Sequence, residues 1–126
     1  MTPAVQSVGI ANQPNLRHWE PEDPDVVVET LAIHIGPRTA GKGARGQVKK
    51  SDLFTLRVAT PAGLETLETQ DGVLLINRKL LLVRRYDSDT IWRWLERTVA
   101  SCEAATWAEC VDKLRAHFHW EFEGMS

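Results

Sequence analysis

The sequence predicts an α+β fold: an antiparallel β-sheet of about four to five strands, with two helices from the C-terminal half packed on one face. Three observations predict it. Strand-like alternation dominates residues 26–86, helix-like periodicity dominates residues 87–118, and the links between the strands look too short to hold crossover helices.

Each element has its own signature. Pro3 to Ile10 is the weaker strand candidate. Val26 to Ile35 is rich in β-branched residues, with Val27, Leu31, Ile33 and Ile35 on one face and Thr30 and His34 on the other, and it stops at Gly36-Pro37. Leu53 to Ala59 alternates more cleanly: Phe54, Leu56 and Val58 point in, Thr55 and Arg57 point out. Thr60-Pro61 closes that strand, and Pro61 suits the first turn of a short helix over Ala62 to Glu68. Val73 to Ile76 and Leu80 to Val83 read as one strand or two strand pieces running to Tyr86.

The helices follow. Asp87-Ser88-Asp89 offers capping oxygens, and Ile91, Trp94, Leu95, Thr98, Val99 and Cys102 fall on one helical stripe. Thr106-Trp107-Ala108-Glu109 is a capping box, and its stripe is Trp107, Cys110, Val111, Leu114 and Phe118. His119 to Glu123 alternates as a short last strand.

Bulk composition bounds the function. A chain of 126 residues with 43% hydrophobic and 25% charged content fits a single domain over 1–126 with a self-sufficient core. A net charge of −2 and a pI near 6.1 weigh against non-specific nucleic-acid binding by the whole domain. Met1 to Ser7 has no basic residue and no apolar run, and no apolar stretch could span a bilayer, so a cytoplasmic protein without membrane contact is expected. Cys102 and Cys110 fit small buried hydrophobes on their helix stripes.

A search for chemistry finds little. There is no Gly-x-Ser-x-Gly elbow, and Gly41 to Gly46 lacks both the Lys-Ser/Thr ending and the following helix of a phosphate loop. His34 lies mid-strand, and His18 precedes Trp19. His117 and His119, with Glu121 nearby, lack a convincing third and fourth metal ligand. The expectation is no enzyme, no metal and no cofactor.

Two charged segments and the tryptophans point instead to protein binding. Glu20, Glu22, Asp23 and Asp25, with Glu29 just after, form an acidic run without a cation, stiffened by Pro21 and Pro24 and preceded by Trp19. Arg38, Lys42, Arg45, Lys49 and Lys50 form a basic run without an acid. Five tryptophans are many for this length, and Trp92 lies off its helix stripe, either packed at the sheet edge or available as an interface anchor.

The order of several motifs resembles the immunity protein 8 family of bacterial polymorphic-toxin and contact-dependent growth inhibition systems. They are Pro21-Glu22-Asp23-Pro24, a strand ending Ile35-Gly36-Pro37, Phe54-x-Leu56-x-Val58-x-Thr60-Pro61 with Leu64, Arg85-Tyr86-Asp87 before Ile91, Trp107 with Leu114, and Trp120-Glu121-Phe122-Glu123. The resemblance covers about Trp19 to Glu123. It implies an antitoxin without catalytic residues that binds a cognate toxin domain, often a nuclease such as an RNase, as a one-to-one heterodimer in the bacterial cytoplasm. The loop after Gly36-Pro37 is longer and more basic than the family's usual turn.

Two placements of the interface are expected: the acidic segment with Trp19 and Glu29, or Arg38 to Lys50 with Trp92. The competing function is a nucleic-acid-binding module that uses the basic loop 38–50, against which no stacking aromatics interleave with its cations. A small enzyme centred on His34 or His117, and a self-associating scaffold, rank below it.

Overall fold

A computed structural model of the chain describes residues 1–38, 51–67, 72 and 79–122. Strand β1 (Pro3–Ile10) pairs antiparallel with β2 (Val28–Pro37), which pairs antiparallel with β3 (Asp52–Ala59). The register sets Val8 beside Ile33, Ile10 beside Leu31, Leu31 beside Leu56 and Ile33 beside Phe54, so one face of the sheet is continuously apolar. The alternation read for β2 and β3 holds: Leu31, Ile33, Ile35, Phe54, Leu56 and Val58 are buried, while Thr30 and His34 are exposed.

The far edge of β3 is shared. Its C-terminal part, Arg57 to Ala59, pairs with β4 (Leu80–Leu82), and Phe54 and Thr55 pair with β5 (His119–Trp120). The architecture is the expected α+β one, with β5 antiparallel, but β4 runs parallel to β3. That corrects the reading of the links. Parallel neighbours require a crossover connection, and residues 60–79 supply it, with helix α1 (Pro61–Leu64) and a 3-10 turn (Glu65–Leu67) at its start. The strand expected over Val73 to Ile76 lies outside the described residues, as does Glu123 of the terminal motif.

Helices α2 (Ser88–Ala100) and α3 (Trp107–Leu114) cover the apolar face. Asp87 caps α2 by accepting a hydrogen bond from the Asp89 N–H at 3.2 Å, and Ile91, Leu95 and Val99 are its buried stripe. The capping box of α3 is complete, with Thr106 and Glu109 each accepting from the other's backbone N–H at 3.2 Å. Cys110, Val111 and Leu114 complete the core, with Phe118 just past the helix. Both cysteines are free and buried. No helix among the described residues is long and apolar enough to cross a membrane.

Thr60 is the buried polar side chain among the described residues, and it joins three elements. Its Oγ1 accepts from the Val27 N–H at 2.9 Å and the Gly63 N–H at 3.1 Å, and donates to the Asp25 carbonyl at 2.7 Å. Its own N–H donates to the Val27 carbonyl at 2.9 Å. Gly63 is required for this approach, because a Cβ there would sit 2.1 Å from the Val27 carbonyl oxygen. Two consequences are expected in denaturant titrations of stability. Thr60→Val should lose about 2 kcal/mol, because two buried N–H groups lose their acceptor, while Thr60→Ser should retain most of it. Gly63→Ala should cost about 2 kcal/mol or more, since a backbone atom must move.

Candidate functional site

The acidic segment is a fixed loop. Trp19 ends a 3-10 turn (Leu16–His18) whose Leu16 is fully buried, and its ring meets Tyr86 edge-on, with centroids 5.0 Å apart. The Asp23 carboxylate accepts from the Asp25 N–H at 2.9 Å, and the Asp23 carbonyl accepts from the Val26 N–H at 3.0 Å, which closes a turn. The Pro24 carbonyl accepts from the Tyr86 N–H at 2.8 Å, and Thr60 holds the next residues. The loop is thus pinned at Trp19, Pro24, Asp25 and Val27, while Glu20, Glu22, Asp23 and Asp25 are exposed.

These acids divide by role. Asp23 shapes the turn, and Asp25 lies 3.4 Å from the Arg85 guanidinium. The run that has no cation in the sequence therefore has one in space, although an ion pair this exposed contributes little to stability. Glu20 and Glu22 have no hydrogen bond or ion pair among the described residues. Glu29 stands apart from this set. It is half-buried in β2, where it lines a separate concavity with Asn12, Gln13 and Thr30.

The second expected interface is described only at its ends. Arg38 is exposed, and its N–H donates to the Thr2 carbonyl at 2.7 Å. Lys42, Arg45, Lys49 and Lys50 lie outside the described residues. Trp92 is half-buried against the core, and the Arg17 guanidinium lies 5.2 Å from its ring centre while also pairing with Asp89. Trp92 therefore helps fasten the 3-10 turn to α2.

Three other tryptophans are accounted for structurally. Trp94 packs against the core and meets Phe118 edge-on. The Trp107 and Trp120 indoles each donate to Asp52 Oδ2 at 3.3 Å. Glu121 ties β5 to β3, accepting from the Leu53 N–H at 2.7 Å and donating its own N–H to the Leu53 carbonyl at 3.0 Å. The Arg115 guanidinium and the exposed Phe122 both lie against the Trp120 ring.

The histidines have ordinary surroundings. His34 and His18 are exposed, His117 is exposed beside Phe118, and His119 Nε2 accepts from the Lys79 N–H at 3.3 Å. Among the described residues no three His, Cys, Asp or Glu side chains form a metal-binding group.

Beside the acidic loop lies a groove of about 830 Å³ between α2 and the chain that leaves β4. Leu81, Leu82, Val83, Tyr86, Ile91 and Trp94 give it an apolar surface, and Arg84 and Arg85 stand at its rim. Sequence reading did not assign these residues to a site. The signals available were two consecutive arginines after an apolar run, and the chain's single tyrosine.

Burial, and then the negative charge of Asp87, push the Tyr86 phenol from 10.0 up to about 12. Because its pKa is higher folded than unfolded, the associated stability is complete below pH 10 and is lost as pH rises through about 12. With one tyrosine in the chain, tyrosinate absorbance titrates this group alone. The expected midpoint is near 12, with the far-ultraviolet spectrum beginning to change over the same interval; a midpoint at 10 would mean the ring is not packed as described.

The family model described as Immunity protein 8 matches residues 4–125. Neither a curated protein nor a solved structure matches the chain. The match spans nearly the whole chain, and the chain belongs to that family, whose members are immunity proteins directed against toxins.

Proposed function

We propose that this member of the immunity protein 8 family neutralises a cognate nuclease toxin by docking its acidic loop on the toxin's phosphate-binding surface. The toxin belongs to a contact-dependent inhibition or related polymorphic-toxin system, and the complex is a one-to-one heterodimer in the bacterial cytoplasm. The chain acts by binding alone and performs no catalysis.

One observation carries the reading: exposed Glu20, Glu22, Asp23 and Asp25 stand on a loop whose backbone is fastened to the core by Thr60 and Tyr86. A nuclease must present cations to phosphates, so acids held in place meet a complementary field. Fixing the loop beforehand removes part of the entropic cost of association. Trp19 supports the loop from behind through Tyr86. Glu29, at the wall of another concavity, is a peripheral member of the surface.

Co-expression with the toxin domain encoded immediately upstream should rescue growth and yield a co-purifying complex. Glu20→Lys combined with Glu22→Lys should lower the association rate about tenfold or more at low salt and flatten its salt dependence. The folded-state spectrum should change little, because these two side chains have no structural partner among the described residues. An unchanged association rate would remove the acidic loop from the interface.

A further inference from the structure

We infer that the groove between α2 and the chain leaving β4 is the apolar anchor site of the toxin complex. Its occupant is a large apolar side chain on the toxin, with a carboxylate next to it. This inference rests on the proposed function and names a second contact that the acidic loop does not supply.

The groove has the composition and size of an anchor pocket. Its volume is about 830 Å³, and its surface includes Ile91 and Trp94 of α2 with Leu81, Val83 and Tyr86 opposite. Such volumes hold one or a few side chains, and the residues that dominate binding energy are enriched in Trp, Tyr and Arg, sit in well-packed, desolvated pockets and tend to face their like on the partner. Leu82, at 53% exposure, is the most solvent-accessible large hydrophobic among the described residues, and it lies on this surface. Water on such a surface is displaced favourably when an apolar partner covers it.

The walls are fixed before binding. The Val83 N–H donates to the Ala59 carbonyl at 2.9 Å, the Tyr86 N–H donates to the Pro24 carbonyl at 2.8 Å, and Trp19 buttresses the Tyr86 ring. An anchor entering here meets a surface that needs little ordering.

Charge at the rim selects the neighbour of the anchor. Arg84 and Arg85 are consecutive and exposed. Asp87 also lines the groove but is turned to the start of α2, accepting from the Asp89 N–H at 3.2 Å and the Thr90 hydroxyl at 2.8 Å. Asp25 pairs with Arg85 at 3.4 Å, which leaves Arg84 as the rim cation without an ion pair among the described residues. Arg84 is therefore the rim position complementary to a carboxylate, in contrast to the acidic loop, which attracts cations. Pro24 belongs both to that loop and to the groove lining, so the two surfaces are continuous. A partner that covers both presents cations to Glu20 and Glu22, and an apolar side chain beside an acid to the groove.

The test uses the full chain and the toxin domain encoded upstream. Leu82→Asp puts a charge on the groove at an exposed position, and Arg84→Glu reverses the rim outside the strand. Leu82→Asp should raise Kd at least about thirty-fold through faster dissociation, with the salt dependence of association retained. Arg84→Glu should raise Kd about tenfold. Unchanged thermal unfolding of both variants keeps the reading on the surface. A wild-type complex whose Kd neither variant moves overturns the groove and leaves the proposed function standing. Absence of any wild-type complex overturns both. A free wild-type dimer that Leu82→Asp splits into monomers assigns the groove to a second copy of this chain and also overturns the inference.

Discussion

The Thr60 hydroxyl is the point on which the path of the acidic loop depends. A single buried oxygen accepts from Val27 and Gly63 and donates to Asp25. It caps α1, ends β3 and holds the C-terminal end of the acidic loop at the same time. A buried hydroxyl left without partners is costly, and so are buried N–H groups left without an acceptor. The three elements are therefore coupled: the loop keeps its path only while α1 begins at Pro61 and Gly63 stays without a side chain.

The sheet extends that logic. β3 has β2 on one edge and divides the other between β4 and β5. Each of the two short strands occupies only part of the edge, so the chain departs from β4 soon after Leu82 and bends past α2. The groove is a consequence of that early departure. The crossover that makes β4 parallel also places Arg84, Arg85 and Tyr86 beside the acidic loop, although some sixty residues of sequence separate them.

Local signals were readable in the sequence, and long-range ones were not. The stripes of α2 and α3, both of their caps, and the alternation of β2 and β3 follow from periodicity and capping chemistry confined to a few residues. The parallel pairing of β4 is not legible locally, because β3 ends at Ala59 and β4 begins at Leu80, and no short motif records which way two strands that far apart in sequence will pair. The turn at Ala11-Asn12 was also hidden. Both residues have positive φ, 48° and 69°, in a two-residue turn closed by reciprocal hydrogen bonds between Ile10 and Gln13, and alanine there gives none of the usual glycine signal. The acidic segment was visible as a run of charge, but its fastening to Thr60 and its neighbour Arg85 belong to the tertiary fold.

The arrangement separates what must stay constant from what can vary. Asp23 and Asp25 take part in the loop's own hydrogen bonding and ion pairing, so altering them changes the loop as well as its charge. Glu20 and Glu22 have no partner among the described residues and can change without disturbing the fold. The same contrast holds at the groove, where Ile91 is buried in the core while Leu82 and Arg84 are exposed. Long-range charge acts mainly on the rate of encounter, and a desolvated apolar contact acts mainly on the lifetime of the complex. A surface with free positions of both kinds can tune the two independently on an unchanged scaffold. An immunity protein that must recognise one toxin and ignore its relatives needs that freedom, because specificity is a difference between affinities and not the strength of any one of them.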